Sequence, residues 1–202
     1  MNSGSISLNI LYEHALSDPE GNSIRGSSAC GREYGRKATQ LTNSIPTSHG
    51  FYLWGKYEKN RLWRTIYLGK AGYGKTTSLQ ARIKEELKDE RVFLWYGPHS
   101  NLEKDDLMKI GQNYYPSMWH EYKNHFDRAI RKSGTTHIIW AVTTEIGNDD
   151  VTKIEADLIE TMNPIANMQR PGPISDLQNK TIEIIKIFKH QIHMSRDKAL
   201  DL

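Results

Sequence analysis

The sequence has almost no cysteine and no long apolar run, and both absences narrow the class of protein. Cys30 is the only cysteine among 202 residues, so no internal disulfide can form and a reducing compartment is favoured. The longest strongly apolar stretch, IIWAV, is far too short to span a bilayer. The N-terminus has neither a basic start nor an apolar segment, so no signal peptide is expected. These absences predict a soluble, cytoplasmic protein without a membrane partner.

What the sequence does contain is typical of one folded domain with appendages. Hydrophobic residues make up 37% of the chain, and five tryptophans and ten tyrosines favour a folded core over disorder. The net charge is only +3, but residues 50–91 hold ten lysines and arginines against five acidic residues. This basic section would suit a phosphate-bearing partner, although a solvated helix face with spare lysines explains it equally well.

The hydrophobic pattern predicts a small arrangement of strands and helices. Aromatic and β-branched segments predict strands at 50–57, 62–69, 91–97 and 136–145, with the first two forming a hairpin and the last a central strand. Apolar periodicity predicts helices at 76–90, 117–132, 151–162 and 175–194. Thr76 or Thr77 would cap the first of these helices, and Asp149 or Asp150 the third, which Asn163-Pro164 would end.

The outer parts of the chain have a different texture. Residues 1–49 are polar and rich in turn formers, which we interpret as an N-terminal arm with a short helix near 5–16. The core would span 50–170 with an insertion at about 92–134, and residues 171–202 would form a C-terminal helical extension.

Residues 66–77, IYLGKAGYGKTT, allow two incompatible interpretations. Gly69, Gly74, Lys75 and Thr76 match the spacing of a phosphate-binding P-loop, which would predict an ATPase or GTPase. Such an enzyme also needs a parallel sheet around the loop and a carboxylate at the end of a second buried strand to hold Mg²⁺. In the strand predicted at 136–145 the acid follows two threonines instead, which weakens this interpretation.

The second interpretation starts at Tyr67 and extends over much of the chain. Five short motifs follow one another: Gly50-Phe51-Tyr52, then Tyr67-Leu68-Gly69 with Lys70-Ala71, Ser78-Leu79 with Arg82, Glu155 with Leu158-Ile159, and Asn163-Pro164 with Asn167. In this ordered set the sequence resembles the GIY-YIG nuclease family, over about 50–91 and 135–170. The region 92–134 would be an insertion.

The resemblance implies both a fold and an activity. The fold would be an α/β (α+β) sandwich, in which helices flank a three-stranded, mainly antiparallel sheet. The activity would be a Mg²⁺-dependent endonuclease that hydrolyses double-stranded DNA to 5′-phosphate and 3′-hydroxyl ends. One Mg²⁺ is expected, with Mn²⁺ as a substitute and no nucleotide cofactor. The large extensions resemble restriction endonucleases of the family, and they would serve target recognition or the formation of a homodimer.

The resemblance also implies a role for each of five catalytic candidates. Tyr52 would act as base or would position the attacking water, with Tyr67 as its partner. Arg82 would clamp the phosphate, and Asn167 would orient groups around it. Glu155 would be the sole protein ligand of Mg²⁺, with water and phosphate oxygens as the other ligands.

Elementary chemistry explains why such residues would be useful. Phosphodiester hydrolysis needs an activated water, a cation and a stabilised leaving oxygen. A tyrosine has a pKa of about 10 and can serve as a base only where cations lower it, for which Arg82, Lys70 and Lys75 are the candidates. Lys70 and Lys75 are also expected to contact DNA. Without the motif, Tyr52 and Tyr67 would be read as half-buried strand residues with hydrogen-bonded hydroxyls.

The other candidates have structural interpretations as well. Arg82 could form an ion pair with Glu86, one helical turn later. Glu155 lies at the edge of an apolar helix face, where a carboxylate needs a cation, but Lys153 or the helix dipole could supply that stabilisation. Asn167 could be an ordinary turn asparagine.

Glu86 is a departure from the family pattern. The family usually carries histidine or tyrosine four residues after the arginine, and an acid here would add negative charge where phosphate should bind. Either Glu86 turns away, or Tyr73, His49 or a residue of 92–134 takes the role, or the chain binds DNA without cutting it. A non-catalytic DNA-binding module and a P-loop nucleotidase therefore stand as alternatives to the endonuclease.

Overall fold

The structure is a computed structural model. It describes residues 2–11, 29–59, 61–73, 78–89, 108–109, 112–113, 116–120, 123, 132, 134–143, 146–167 and 178–198. Within these ranges, no helix is both long and apolar enough to cross a membrane.

Within the described residues the sheet has four strands, whereas three were expected. In chain order they are β1 (Ser3–Ser7), β2 (Gly50–Tyr57), β3 (Trp63–Ala71) and β4 (His137–Val142). Their spatial order is β1-β4-β2-β3, and all three neighbouring pairs are antiparallel. The predicted hairpin of β2 and β3 and the interior position of β4 are confirmed, and the fold is a mixed α/β arrangement.

The additional strand comes from the segment interpreted as an arm. Residues 3–7 pair with β4 from Ala141 to His137, so the helix predicted near 5–16 is wrong for residues 5–7, whereas residues 9–11 are helical and residues 12–16 lie outside the described residues. The strand reads SGSIS, with Ile6 as its single large apolar residue. Such a polar segment carries no strand pattern of its own. It becomes a strand because the edge of β4 offers unpaired backbone groups that need hydrogen-bond partners.

In the part of the chain that the structure describes, four longer helices cover the faces of the sheet. They are α1 (Ala29–Thr42), α2 (Leu79–Asp89), α3 (Asn148–Met162) and α4 (Asn179–Lys198), and a short 3₁₀ turn lies at Pro116–Met118. The last three longer helices correspond to predicted ones. The first lies in the presumed arm and was not predicted, although its Tyr34 and Ala38 are fully buried.

The sheet separates two apolar cores. The core between the sheet and helices α1 and α2 includes Tyr34, Tyr52, Trp54, Leu79, Ile83, Leu87 and Trp140. The core between the sheet and helices α3 and α4 includes Phe51, Leu53, Leu68, Ile154, Leu158, Ile184 and Phe188. Because side chains alternate along a strand, each strand supplies both cores, and neighbouring residues of β2 and β3 act on opposite faces.

The ends of α3 test two of the sequence predictions. The helix begins after Gly147 without a side-chain cap, so the predicted cap by Asp149 or Asp150 is wrong. Its other end is as predicted. Asn163 adopts a left-handed conformation with φ 45° and donates its N–H to the carbonyl of Ile159, and Pro164 follows.

Some predictions lie outside the described residues. These are the strand at 91–97, most of the helix at 117–132, and the caps Thr76 and Thr77. The described N-terminal side of α2 has a different cap, because the hydroxyl of Ser78 accepts the N–H of Ala81 at 3.3 Å.

Candidate active site

Two tyrosines of the hairpin lie side by side on the α2 face of the sheet. In the β2–β3 register, Tyr52 is opposite Gly69 and Trp54 is opposite Tyr67, so the two tyrosines are diagonal neighbours. Their ring centroids are 6.3 Å apart. A Cβ at Gly69 would lie 2.4 Å from the hydroxyl oxygen of Tyr52. Gly69 therefore makes room for the Tyr52 side chain, which explains why a glycine stands at this position of the motif.

The carboxylate of Glu86 connects the groups on this face. Its Oε1 accepts a hydrogen bond of 2.7 Å from the hydroxyl of Tyr52 and lies 2.9 Å from Nε of Arg82. Its Oε2 lies 3.1 Å from Nζ of Lys132. Glu86 thus does not turn away, and the ion pair with Arg82 considered from the sequence is present. Only 4% of the Glu86 side chain is exposed.

Lys132 is a residue that the sequence analysis did not single out. Its side chain is fully buried. Its ammonium lies 4.0 Å from the ring centroid of Tyr67 and 4.8 Å from that of Trp54, both distances at which a cation is attracted to an aromatic face. No local pattern could have revealed this, because a lysine beside Arg131 in a polar segment is usually solvated.

The charges of this cluster set the protonation of its members. Burial raises the pKa of the Tyr52 hydroxyl well above its ordinary 10.0, and the negative charge of Glu86 raises it further, while Arg82 lowers it only in part. Burial alone would also raise the pKa of Glu86, but Lys132 and Arg82 outweigh it and lower that pKa. Glu86 is therefore ionised and Tyr52 protonated at neutral pH. Of the cations expected to lower the pKa of Tyr52, Arg82 does so but does not overcome its burial, and Lys75 lies outside the described residues.

The predicted metal ligand, Glu155 on α3, lies against the opposite face of β3. Nζ of Lys70 lies 2.8 Å from Oε2 of Glu155, and the two side chains are 29% and 24% exposed. Lys153 is therefore not needed to explain the position of Glu155. Tyr67 and Lys70 stand three residues apart on the same strand but serve opposite faces. The structure thus divides the predicted site into a Tyr52 cluster (Tyr52, Tyr67, Arg82, Glu86 and Lys132) and a separate pair of Lys70 and Glu155.

The chemistry of Glu155 fits a magnesium ion in part. A half-buried carboxylate is a hard oxygen ligand, and Mg²⁺ is commonly held by one or two carboxylates while water and substrate phosphates complete its shell. Among the described residues there is no cluster of three or more His, Cys, Asp or Glu side chains. Glu155 would therefore be a lone protein ligand, and Lys70 would have to share its carboxylate with the ion or leave it.

Asn167 is tied to the backbone of the hairpin. Its side-chain oxygen accepts the N–H of Leu68 at 2.9 Å, and its side-chain nitrogen donates to the carbonyl of Leu68, also at 2.9 Å. The N–H of Ala166 also donates to the carbonyl of Ile66, at 2.8 Å. The segment after α3 is therefore hydrogen-bonded to the outer edge of β3. The asparagine does more than occupy a turn, because it holds the middle residue of the Tyr67-Leu68-Gly69 motif.

The P-loop interpretation meets an unfavourable geometry. Gly74, Lys75 and Thr76 lie outside the described residues. The predicted DNA contact of Lys75 therefore stays a prediction. The strand before these residues, β3, stands at the edge of an antiparallel sheet as far as the described residues go. A P-loop instead follows a strand inside a parallel sheet.

Comparisons with family models, with curated proteins and with solved structures found no match.

Proposed function

We propose that the chain is a Mg²⁺-dependent endonuclease of GIY-YIG type acting on double-stranded DNA. The observation that carries the proposal is the meeting of distant motifs along one strand. Asn167 binds both backbone groups of Leu68, and Tyr52 packs on Gly69, so both ends of the resemblance touch the Tyr67-Leu68-Gly69 segment. These contacts span up to 99 residues of sequence. Chance matches to short motifs have no reason to assemble in this way.

The Tyr52 cluster supports a phosphate-binding role. Arg82 is 30% exposed and has five N–H donors, more than its contacts with Glu86 and Glu85 use. A guanidinium of this kind suits the oxygens of a phosphodiester. Burial tends to lower the pKa of Arg82, but the carboxylate of Glu86 outweighs it and the pKa is raised. Arg82 would therefore bind phosphate as a permanent cation.

The protonation of Tyr52 narrows its role. A tyrosine whose O–H donates to a buried carboxylate, and whose pKa is raised, is a poor general base at neutral pH. Of the two roles that the resemblance implied, Tyr52 fits positioning, and it acts by holding Glu86 and through it Arg82. Tyr67, half-buried and beside the Lys132 ammonium, is the tyrosine closer to solvent.

The metal would belong to the other face of β3. Glu155 would hold Mg²⁺, whose charge would neutralise the negative charge that develops on the phosphate during in-line attack by water. Lys70 would leave Glu155 and contact a phosphate oxygen of the DNA. Sequence-specific cutting, as in a restriction enzyme, is the form of the activity that we propose for a chain with such large extensions.

The direct test is cleavage of supercoiled plasmid and of bacteriophage DNA. Wild type should cut both in Mg²⁺ and leave both intact in chelator, whereas Glu155→Ala should leave DNA intact in Mg²⁺. Glu160→Ala is the matched control, because it removes an exposed carboxylate from the same helix and should cut normally. Discrete phage fragments would support sequence specificity, and a smear would contradict it. Intact DNA with wild type in both Mg²⁺ and Mn²⁺ would refute the endonuclease.

One observation favours a second function, a DNA-binding module that does not cut. Lys70 and Glu155 form an ion pair at 2.8 Å, and a permanent lysine at the only proposed ligand would exclude the metal. Such a module would bind duplex DNA with a steep salt dependence, yet leave it uncut in Mg²⁺ and Mn²⁺.

A P-loop nucleotidase would instead bind ATP or GTP, and Lys75→Ala would abolish that binding.

A further inference from the structure

The Tyr52 cluster contains a cation that the resemblance does not account for. Lys132 lies 46 residues from Glu86 in the chain, in the region taken as an insertion, and its ammonium reaches Oε2 of Glu86 with no exposed side-chain surface. Burying a lysine is costly unless its charge is paired, so a fully buried lysine calls for a reason beyond packing.

Charge arithmetic supplies that reason. Arg82 and Glu86 alone would form a neutral pair, and a neutral pair attracts a phosphate weakly. Lys132 adds a second positive charge, so the three side chains together carry +1. Glu85 also lies 3.4 Å from Nη1 of Arg82, but its side chain is 56% exposed, so water screens its charge far more than that of buried Glu86.

Geometry separates the tasks of the two cations. Oε1 of Glu86 faces Arg82 and Tyr52, and Oε2 faces Lys132. Lys132 is fully buried, with its ammonium against the ring faces of Tyr67 and Trp54, so it cannot reach a DNA backbone itself. Arg82 is partly exposed and can. Lys132 therefore acts through Glu86, whose charge it balances.

We propose that Lys132 is a positioning residue for phosphate binding, which neutralises Glu86 so that Arg82 keeps its full attraction for the DNA backbone. This inference rests on the proposed function. It also answers the problem that Glu86 poses, because the acid then fixes Arg82 and Tyr52 in place without cancelling the charge of the site. The cluster replaces the single histidine or tyrosine of the family pattern with an acid and its own counter-ion.

The test is the affinity for a duplex of random sequence, measured by fluorescence anisotropy in chelator so that no strand is cut. The variants are Lys132→Met, Glu86→Gln and the double substitution, which change the charge of the three side chains from +1 to 0, +2 and +1. We expect Lys132→Met to weaken binding by roughly five- to tenfold at about 0.1 M salt, which corresponds to one phosphate contact. Glu86→Gln should tighten it several-fold, and the double variant should bind like wild type.

The opposite direction of the two single substitutions is the decisive result. A purely structural role predicts that both single variants lose affinity, because each disrupts the same buried network. Two changes of the same sign, or no change in either, would overturn the inference. If Lys132→Met does not fold by circular dichroism, Glu86→Gln still decides: tighter binding supports the inference, and weaker or equal binding refutes it.

Two controls separate this inference from the proposed function. Lys186→Met and Glu183→Gln make the same changes of charge at exposed positions on α4, and should alter affinity much less. Wild type that fails to bind DNA in either chelator or Mg²⁺ would refute the proposed function, and the phosphate role of Lys132 with it. Wild type that binds, with the wrong pattern among the variants, would refute only the role of Lys132.

Discussion

The hydroxyl of Tyr52 donates a 2.7 Å hydrogen bond to Oε1 of Glu86, and both residues are buried. One residue belongs to the second strand and the other to a helix 34 residues later. This contact joins the motif tyrosine to the one position where the sequence departs from the family pattern. It fixes the protonation of both groups and makes the tyrosine a donor, which is the basis of the first prediction.

Tyr52→Phe should destabilise the fold more than the comparable change at Tyr34. The Tyr52 hydroxyl donates to a carboxylate, and a hydrogen bond to a charged group is worth about 1.5–3 kcal/mol. The Tyr34 hydroxyl donates to the neutral carbonyl of Leu87 at 2.6 Å, a bond worth roughly 0.5–1.5 kcal/mol. Urea unfolding of both variants measures the two losses. Equal losses would mean that the charge of Glu86 adds nothing to the bond.

Lys132→Met should be among the most destabilising single substitutions in the chain. It leaves buried Glu86 with only the partly exposed Arg82 as a cation contact among the described residues, and removing one partner of a buried ion pair costs about 3–5 kcal/mol. Adding Glu86→Gln should recover part of that loss, since the buried side chain at position 86 then carries no charge that has lost a cation. A double-mutant cycle on unfolding free energies measures the coupling. Additive losses would contradict an ionic link between the two residues.

The buried His137 should make the protein sensitive to mild acid. Burial lowers the pKa of His137 from 6.5 to about 4, and its ring packs against Tyr57 and Trp63. Because the folded pKa is the lower one, this stabilisation is complete above pH 6.5 and is lost as the pH falls towards 4. The shift corresponds to about 3 kcal/mol.

The measurement is the unfolding free energy of wild type and His137→Phe between pH 7 and pH 4. The variant should lose less stability than wild type over this range, because its aromatic ring cannot take up a proton. His190→Gln, which removes an exposed histidine from α4, is the control. Identical pH profiles for wild type and His137→Phe would assign the acid sensitivity to other groups.

Lys70→Met should strengthen binding of divalent cations at Glu155. The substitution removes an ammonium 2.8 Å from the carboxylate, so a cation no longer competes with a positive charge. We expect Mn²⁺ to bind at least about fivefold more tightly, as measured by electron paramagnetic resonance without DNA. Lys153→Met is the control, because it removes an exposed lysine from α3, the helix that carries Glu155. Unchanged affinity in Lys70→Met would place the metal elsewhere.

Asn167→Asp should loosen the outer edge of β3. An aspartate can still accept the N–H of Leu68, but it cannot donate to the Leu68 carbonyl and would repel it. The expected loss of stability is about 1–3 kcal/mol. Hydrogen exchange at the Leu68 amide should accelerate, while exchange at Leu53 in the interior strand β2 should follow global unfolding alone. An unchanged Leu68 amide would show that the edge does not depend on this side chain.

Local patterns predicted the elements whose own residues carry the necessary signal. The hairpin of β2 and β3, the interior strand β4 and the helices α2, α3 and α4 all have apolar residues at strand or helix spacing, so burial of one face specifies them. β1 has a single large apolar residue and was missed, because its hydrogen bonds come from β4 and not from any property of SGSIS.

The sequence by itself determined the candidate residues of the site and drew attention to Glu86. Only the tertiary structure decided which of them meet: Tyr52, Tyr67 and Arg82 on one face of β3, and Lys70 with Glu155 on the other. It also brought in Lys132, which nothing in the sequence distinguishes from a lysine exposed to solvent. The reason is physical. Periodicity reports which face of an element is buried, but the charge balance of a buried cluster depends on residues that only folding brings together.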